Sequence, residues 1–125
     1  MPTPSEIKLH KKSAVLEIAF DDGVSASLPA EYLRVYSPSA EVKGHTPDQA
    51  VLQTGKENVA IDAIEPVGNY AVKLVFSDGH DSGLYTWNYL HELAAQQESK
   101  WHDYLKRLEE AGHTRNTGAV KTYKP

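Results

Sequence analysis

Residues Tyr70 to Leu93, YAVKLVFSDGHDSGLYTWNYLHEL, decide how this chain is read. Tyr70, Val72, Leu74 and Phe76 alternate with Ala71, Lys73, Val75 and Ser77, the period of two expected of a strand with one apolar face. Asp78-Gly79 supplies the backbone freedom of a hairpin turn. Leu84, Tyr85 and Trp87 resume the apolar run, and Thr86 is placed to cap a helix starting at Trp87.

Upstream, the same grammar recurs. Ile7 and Leu9 open an alternating first strand, and Lys11 to Ser13 form a polar turn. Leu16, Ile18 and Phe20 share one face of a second strand. Asp21-Asp22-Gly23 turns the chain into a third strand carrying Val24, Ala26 and Leu28. Pro29 ends this hairpin, and Ala30 to Tyr36 form a short helical turn that sets Tyr32, Leu33 and Val35 near the sheet. Phe20, Asp22, Gly23 and Leu28 reappear at constant offset as Phe76, Asp78, Gly79 and Leu84, with Tyr32-Leu33 answered one residue out of step by Tyr89-Leu90. Two readings fit: a pseudo-duplicated plan, or two hairpins that independently use Asp-Gly turns.

Between the hairpins, Thr46-Pro47-Asp48-Gln49 has the order of a helix start, and that helix is expected to run to about Leu52 before Gly55. Val59, Ile61 and Ile64 suggest another strand, and Glu65 to Asn69 a turn. After the central stretch, Leu90, Leu93, Ala94, Gln97, Trp101, Tyr104, Leu105 and Leu108 fall at helical spacing. Either one helix spans 87–111 or two meet near Gln96 to Ser99; the polar interruption favours the break. The expected layout is a leader over 1–5, a single domain over 6–112 and a mobile tail over 113–125. The fold class is α+β, a largely antiparallel sheet with C-terminal helices.

The 125 residues suit one domain with a real core. A formal charge of −4 argues against a nucleic-acid partner gripped through phosphates. Cysteine is absent, which removes disulfides and thiolate metal sites and suits a reducing, cytoplasmic setting. No apolar run suggests a signal peptide or a membrane span.

His80, beside Asp78 and Asp81 and with His45 at a distance, could join a two-histidine, one-carboxylate iron site. The alternative is a turn residue that hydrogen-bonds at the core edge. His91-Glu92 and His102-Asp103 read as solvated helix faces, and neither a nucleophile elbow nor a phosphate loop is present. Arg34 suits either a structural ion pair or a partner contact. Arg34, Asp78, Trp87 and Tyr89 are the candidate partner-binding residues.

The pattern Leu33-Arg34, then Ser37-Pro38-Ser39-Ala40-Glu41-Val42, then Tyr70-Ala71-Val72, then Ser77-Asp78-Gly79-His80 with Ser82-Gly83, Tyr85 and Trp87 resembles the gamma-butyrobetaine hydroxylase-like N-terminal domain family. The resemblance covers about Glu6 to Gly112. It implies a domain that, in hydroxylases, precedes an iron and 2-oxoglutarate dependent catalytic domain and holds a structural zinc through three cysteines and one histidine. Carried over, those ligands fall on Ser37, Ser39, Val42 and His80, so three of four are replaced and no metal is expected at the position. The resemblance extends to modules attached to iron–sulfur carriers. The expected role is therefore a non-catalytic accessory or interaction domain, with a protein partner or a homodimer formed through a sheet edge or the aromatic helix face. The alternative is an iron or iron–sulfur accessory in which His80 contributes to a site completed by a partner.

Overall fold

A computed structural model describes residues 2–39, 42 and 52–113. The helix expected at Thr46, the distant His45 and the tail beyond His113 lie outside the described residues. The first half contains β1 (Pro4–His10), β2 (Val15–Phe20), β3 (Ser25–Pro29) and α1 (Ala30–Val35). The second contains β4 (Ile61–Val67), β5 (Ala71–Phe76), β6 (Leu84–Thr86) and α2 (Trp87–Ala95), followed by α3 (Gln97–Glu110). Each half is a three-stranded antiparallel sheet with its middle strand in the centre, orders β1-β2-β3 and β4-β5-β6. The α+β class is as expected, but two sheets replace the single one.

The two halves are one unit used twice. Pro4 pairs with Phe20 and Ile61 with Phe76; each edge strand then skips a residue at the same place, between Pro4 and Glu6 and between Ile61 and Ala63. Both Asp-Gly turns close alike. Phe20 N–H donates to Val24 O and Phe76 N–H to His80 O, while Asp22 accepts from Val24 N–H and Asp78 from His80 N–H. Gly23 and Gly79 have φ +93° and +91°, the left-handed conformation that glycine adopts at least cost. One equivalence shifts by a residue. Leu28 pairs with Leu16 as Tyr85 pairs with Val72, so Leu28 answers Tyr85, fully buried like itself, and not the exposed Leu84.

The inner faces of both sheets share one core. Leu16, Ile18, Phe20 and Leu28 of the first half meet Val72, Leu74, Phe76 and Tyr85 of the second, with Leu33, Leu90 and Leu93 from the helices. At roughly 25 cal/mol per Å² of apolar surface removed from water, a seam this continuous binds the halves into one folding unit.

Three details differ from the sequence reading. β1 begins at Pro4, inside the expected leader, and Thr3 N–H donates to Asp21 Oδ1. β4 runs on through Glu65, Pro66 and Val67; a proline is tolerated because β4 is an edge strand and no neighbour needs its missing N–H. The turn moves to Gly68–Tyr70, and Tyr70 is 51% exposed instead of joining the buried face of β5. As expected, Thr86 caps α2 by accepting from Tyr89 N–H, and the chain breaks at Gln96. Gln97, the polar intruder in the apolar stripe, donates to Ser27 O on the edge strand β3.

Candidate functional site

The residues singled out around His80 converge where the segment after α1 meets the β5–β6 turn. α1 is buried along its whole length, which fixes the path of the chain into Ser37 and Ser39. From the other side, the Asp78-Gly79 turn points His80 inward, and His80 is only 8% exposed. Ser37 Oγ lies 2.9 Å from His80 Nε2 and also accepts the Ser39 N–H at 3.2 Å. Ser39 Oγ and Ser82 Oγ are 2.7 Å apart. Gly83 is favoured by close approach: a Cβ there would clash with Ser37 Oγ.

Next to this polar knot is a charged one. Asp78 Oδ2 accepts from Arg34 Nε at 2.9 Å and Lys56 Nζ at 2.8 Å, while Oδ1 accepts the His80 N–H at 3.1 Å. Arg34 also donates to Gln53 Oε1, and the Gln53 carbonyl accepts from Tyr104 Oη on α3. Burial pushes the Asp78 carboxyl toward higher pKa, but Lys56, the His80 N–H and Arg34 together outweigh it and hold Asp78 at about 2. Burial likewise raises the Tyr85 hydroxyl, which donates to Leu33 O at 2.6 Å, and pushes Tyr89 up to about 12. These phenols stay protonated and act as donors.

Ser37, Ser39 and His80 are thus joined by hydrogen bonds, and Val42 follows the two serines in the chain. Val42 is buried and its N–H donates to Ser39 O. Zinc is ill served by this set: valine offers no donor, and a neutral serine hydroxyl is a poor substitute for thiolate. Among the described residues no group of three or more His, Asp and Glu side chains stands close enough to hold a metal. Asp81 is exposed, so the structure places only Asp78 of the two neighbouring acids against this network.

Of the other nominated residues, Arg34 and Asp78 are paired with each other. Trp87 Nε1 donates to Asn69 O, and Tyr89 Oη donates to Tyr36 O. His91, read from sequence as a solvated residue, instead bonds Asp22 at 2.8 Å and packs edge-on against Phe20. Sequence reasoning missed Gln53, Lys56 and Ser82 as members of the network. The repeat carried one usable signal: Asp22 and Asp78 are equivalent, so a partner for one predicts a partner for the other.

Comparison with known proteins fits this geometry. Residues 7–91 match the family described as gamma-butyrobetaine hydroxylase-like, N-terminal. Two solution structures solved by NMR are similar over nearly the whole chain. One is 50% identical, covering 99% of this chain and 98% of that one with a TM-score of 0.81; the other is 53% identical, covering 99% and 95% with a TM-score of 0.78. A crystal structure of a protein of unknown function from Acidithiobacillus ferrooxidans, assigned to the DUF971 family, is 42% identical over 74% of this chain and 93% of that one, with a TM-score of 0.62. No curated protein matches. No helix among the described residues is long and apolar enough to cross a membrane. With more than half its length matched by the family and its two-hairpin core shared with these structures, the chain belongs to the gamma-butyrobetaine hydroxylase-like N-terminal domain family.

Proposed function

We propose that this chain is a non-catalytic protein-interaction module whose shape is held by packing and hydrogen bonding, not by metal. The observation that carries the reading is where apolar surface is left over. Among the described residues, the large hydrophobics that stay exposed are Tyr70 at 51% and Leu84 at 39%, and both belong to the second half's sheet and its hairpin turn. Trp87, half-buried, adjoins Tyr70 through its N–H to the Tyr70 carbonyl. Two exposed anchors beside a partly exposed indole are the kind of surface at which partner-binding energy concentrates. Arg34, Asp78 and Tyr89 tie the two halves together and keep the fold that presents that surface.

The buried polar groups support the same reading. Ser37, Ser39 and His80 are hydrogen-bonded and sealed from solvent, which suits a structural staple better than a reacting centre. An iron-linked role would have to draw His80 away from Ser37 and obtain its remaining ligands from a partner, and the donor set argues against it.

Affinity capture with the full chain, compared between the parent and a Tyr70→Ser, Leu84→Ser double variant, tests the proposal. The expected result is a reproducible protein retained by the parent and lost with the variant. Indistinguishable capture profiles would overturn it.

A further inference from the structure

The repeat supplies an internal control for its own surfaces, because most outward positions of the first sheet have a paired counterpart on the second. In the first sheet, Lys8, Glu17 and Ser27 sit opposite one another across the three strands, and the next row is Glu6, Ala19 and Ser25. Directly opposed residues in an antiparallel pair point to the same side. That outer face is polar, as a solvated sheet face should be. The matching rows of the second sheet are Glu65, Lys73 and Leu84, then Ala63 and Val75. Ser27 has become Leu84, Glu6 has become Ala63, and Ala19 has become Val75. His10 has likewise become Val67.

The same fold therefore carries one outer face built for water and one built for contact. Among the described residues a single ion pair crosses the apolar face, Lys73 Nζ to Glu65 Oε1 at 3.1 Å, with side chains 37% and 56% exposed. One acid and one base side by side in an apolar surround are self-complementary. A two-fold axis between them sets the Glu65 of each copy against the Lys73 of the other, and residue-for-residue reciprocity is what an isologous contact requires.

We infer that the outer face of the second sheet is a self-association surface whose occupant is a second copy of this chain. This rests on the interaction reading above and names one partner for it. Three strands at ~4.8 Å spacing and up to about 20 Å long offer roughly 300 Å² per copy, well under the ~800 Å² per partner of a standard interface. The dimer is accordingly weak and reversible, with dissociation on the order of 0.1 mM.

Sedimentation equilibrium of the full chain from about 10 µM to 1 mM tests the inference. Expected are concentration-dependent dimerisation and at least tenfold weaker association for Leu84→Lys. Lys8→Glu, on the polar sheet, should leave association unchanged. Lys73→Glu and Glu65→Lys should each be monomeric alone, yet form a mixed dimer when combined, because each supplies the charge the other lacks. A parent that stays monomeric to 1 mM, association indifferent to Leu84→Lys, or no rescue on mixing would overturn the inference. A monomeric parent that still captures a different protein through Tyr70 and Leu84 would sink only this inference and leave the interaction module standing.

Discussion

Arg34 Nε on α1 lies 2.9 Å from Asp78 Oδ2 in the second half's turn, across 44 residues of chain. Its counterpart, His91 on α2, lies 2.8 Å from Asp22 Oδ2 in the first half's turn. Each helix reaches across to the other half's Asp-Gly turn, so the repeats are laced together reciprocally. The two laces differ in burial: the Arg34 and Asp78 side chains are 8% and 26% exposed, those of His91 and Asp22 24% and 38%.

That difference sets the first prediction. Arg34→Met removes a buried guanidinium from the partly exposed Asp78 carboxylate and takes one hydrogen bond from Gln53, while Lys56 still covers part of the charge. A loss of about 2–3 kcal/mol in urea unfolding is expected. Asp22→Ala breaks the more exposed lace, which solvent screens, and should cost clearly less than Arg34→Met. Equal losses would refute the ranking by burial.

Asp78 also fixes how stability responds to acid. Its folded pKa of about 2 lies below the ordinary 3.8, so the unfolded chain takes up a proton first as pH falls. The stabilisation is complete above roughly pH 5, declines as pH drops through 3.8, and is gone below about pH 2; after solvent screening of this partly exposed carboxylate it amounts to about 1 kcal/mol. Asp78→Asn should flatten the unfolding free energy between pH 5 and pH 2 relative to the parent, as urea titrations at several pH values would record. A variant with the parent's full slope would place the acid sensitivity elsewhere.

A Cβ at Gly83 would clash with Ser37 Oγ, so one of the two must shift. Gly83→Ala must push Ser37 off His80 or bend the β5–β6 connection, at a cost of about 1–3 kcal/mol. Gly79 has open space where a Cβ would go, so Gly79→Ala pays only for its left-handed backbone, about 1–2 kcal/mol. Chemical shifts of the His80 ring separate the two cases: Gly83→Ala should move them and Gly79→Ala should not.

Whether Ser37, Ser39, Val42 and His80 converge can be tested by restoring donors. Ser37→Cys, Ser39→Cys, Val42→Cys should bind one zinc per chain, with the thiolates and His80 completing a tetrahedral set. Adding His80→Ala should weaken that binding by at least tenfold. A triple variant that binds no zinc would show that these four positions do not close around a common point.

Much of this was legible in the chain because the controlling interactions are local. The alternation in Val15 to Phe20 and in Ala71 to Phe76, the two Asp-Gly turns, the Thr86 cap and the interruption at Gln96 each depend on neighbours a few residues away. Errors arose where tertiary context overrode the local pattern. Tyr70 continues the apolar alternation on paper, but Trp87 N–H bonds its carbonyl within the Gly68–Tyr70 turn. Pro66 reads as a turn residue, yet an edge strand accepts it. The site was legible only in part, since Ser37 and His80 are 43 residues apart and nothing local to either names the other. Leu28 and Leu84 matched as letters, but the longer second turn shifts the register by one, and only strand pairing reveals Tyr85 as the true counterpart.

The repeat makes a final prediction about its two tyrosines. Tyr32 Oη donates to Leu93 O near the end of α2, and Tyr89 Oη donates to Tyr36 O at the end of α1. Carbonyls in the last turn of a helix lack intrahelical partners, so each phenol satisfies an acceptor that the other helix leaves open. Tyr32→Phe and Tyr89→Phe should each cost about 1–2 kcal/mol. With one hydroxyl gone, the remaining tie still fixes how α1 and α2 approach; with both gone, the helices can slide along their shared apolar seam. The double variant should therefore lose more than the sum of the single losses, by at least about 0.5 kcal/mol in a double-mutant cycle read by urea unfolding. Strict additivity would mean that the core alone sets the approach of the helices and that the paired phenols merely follow it.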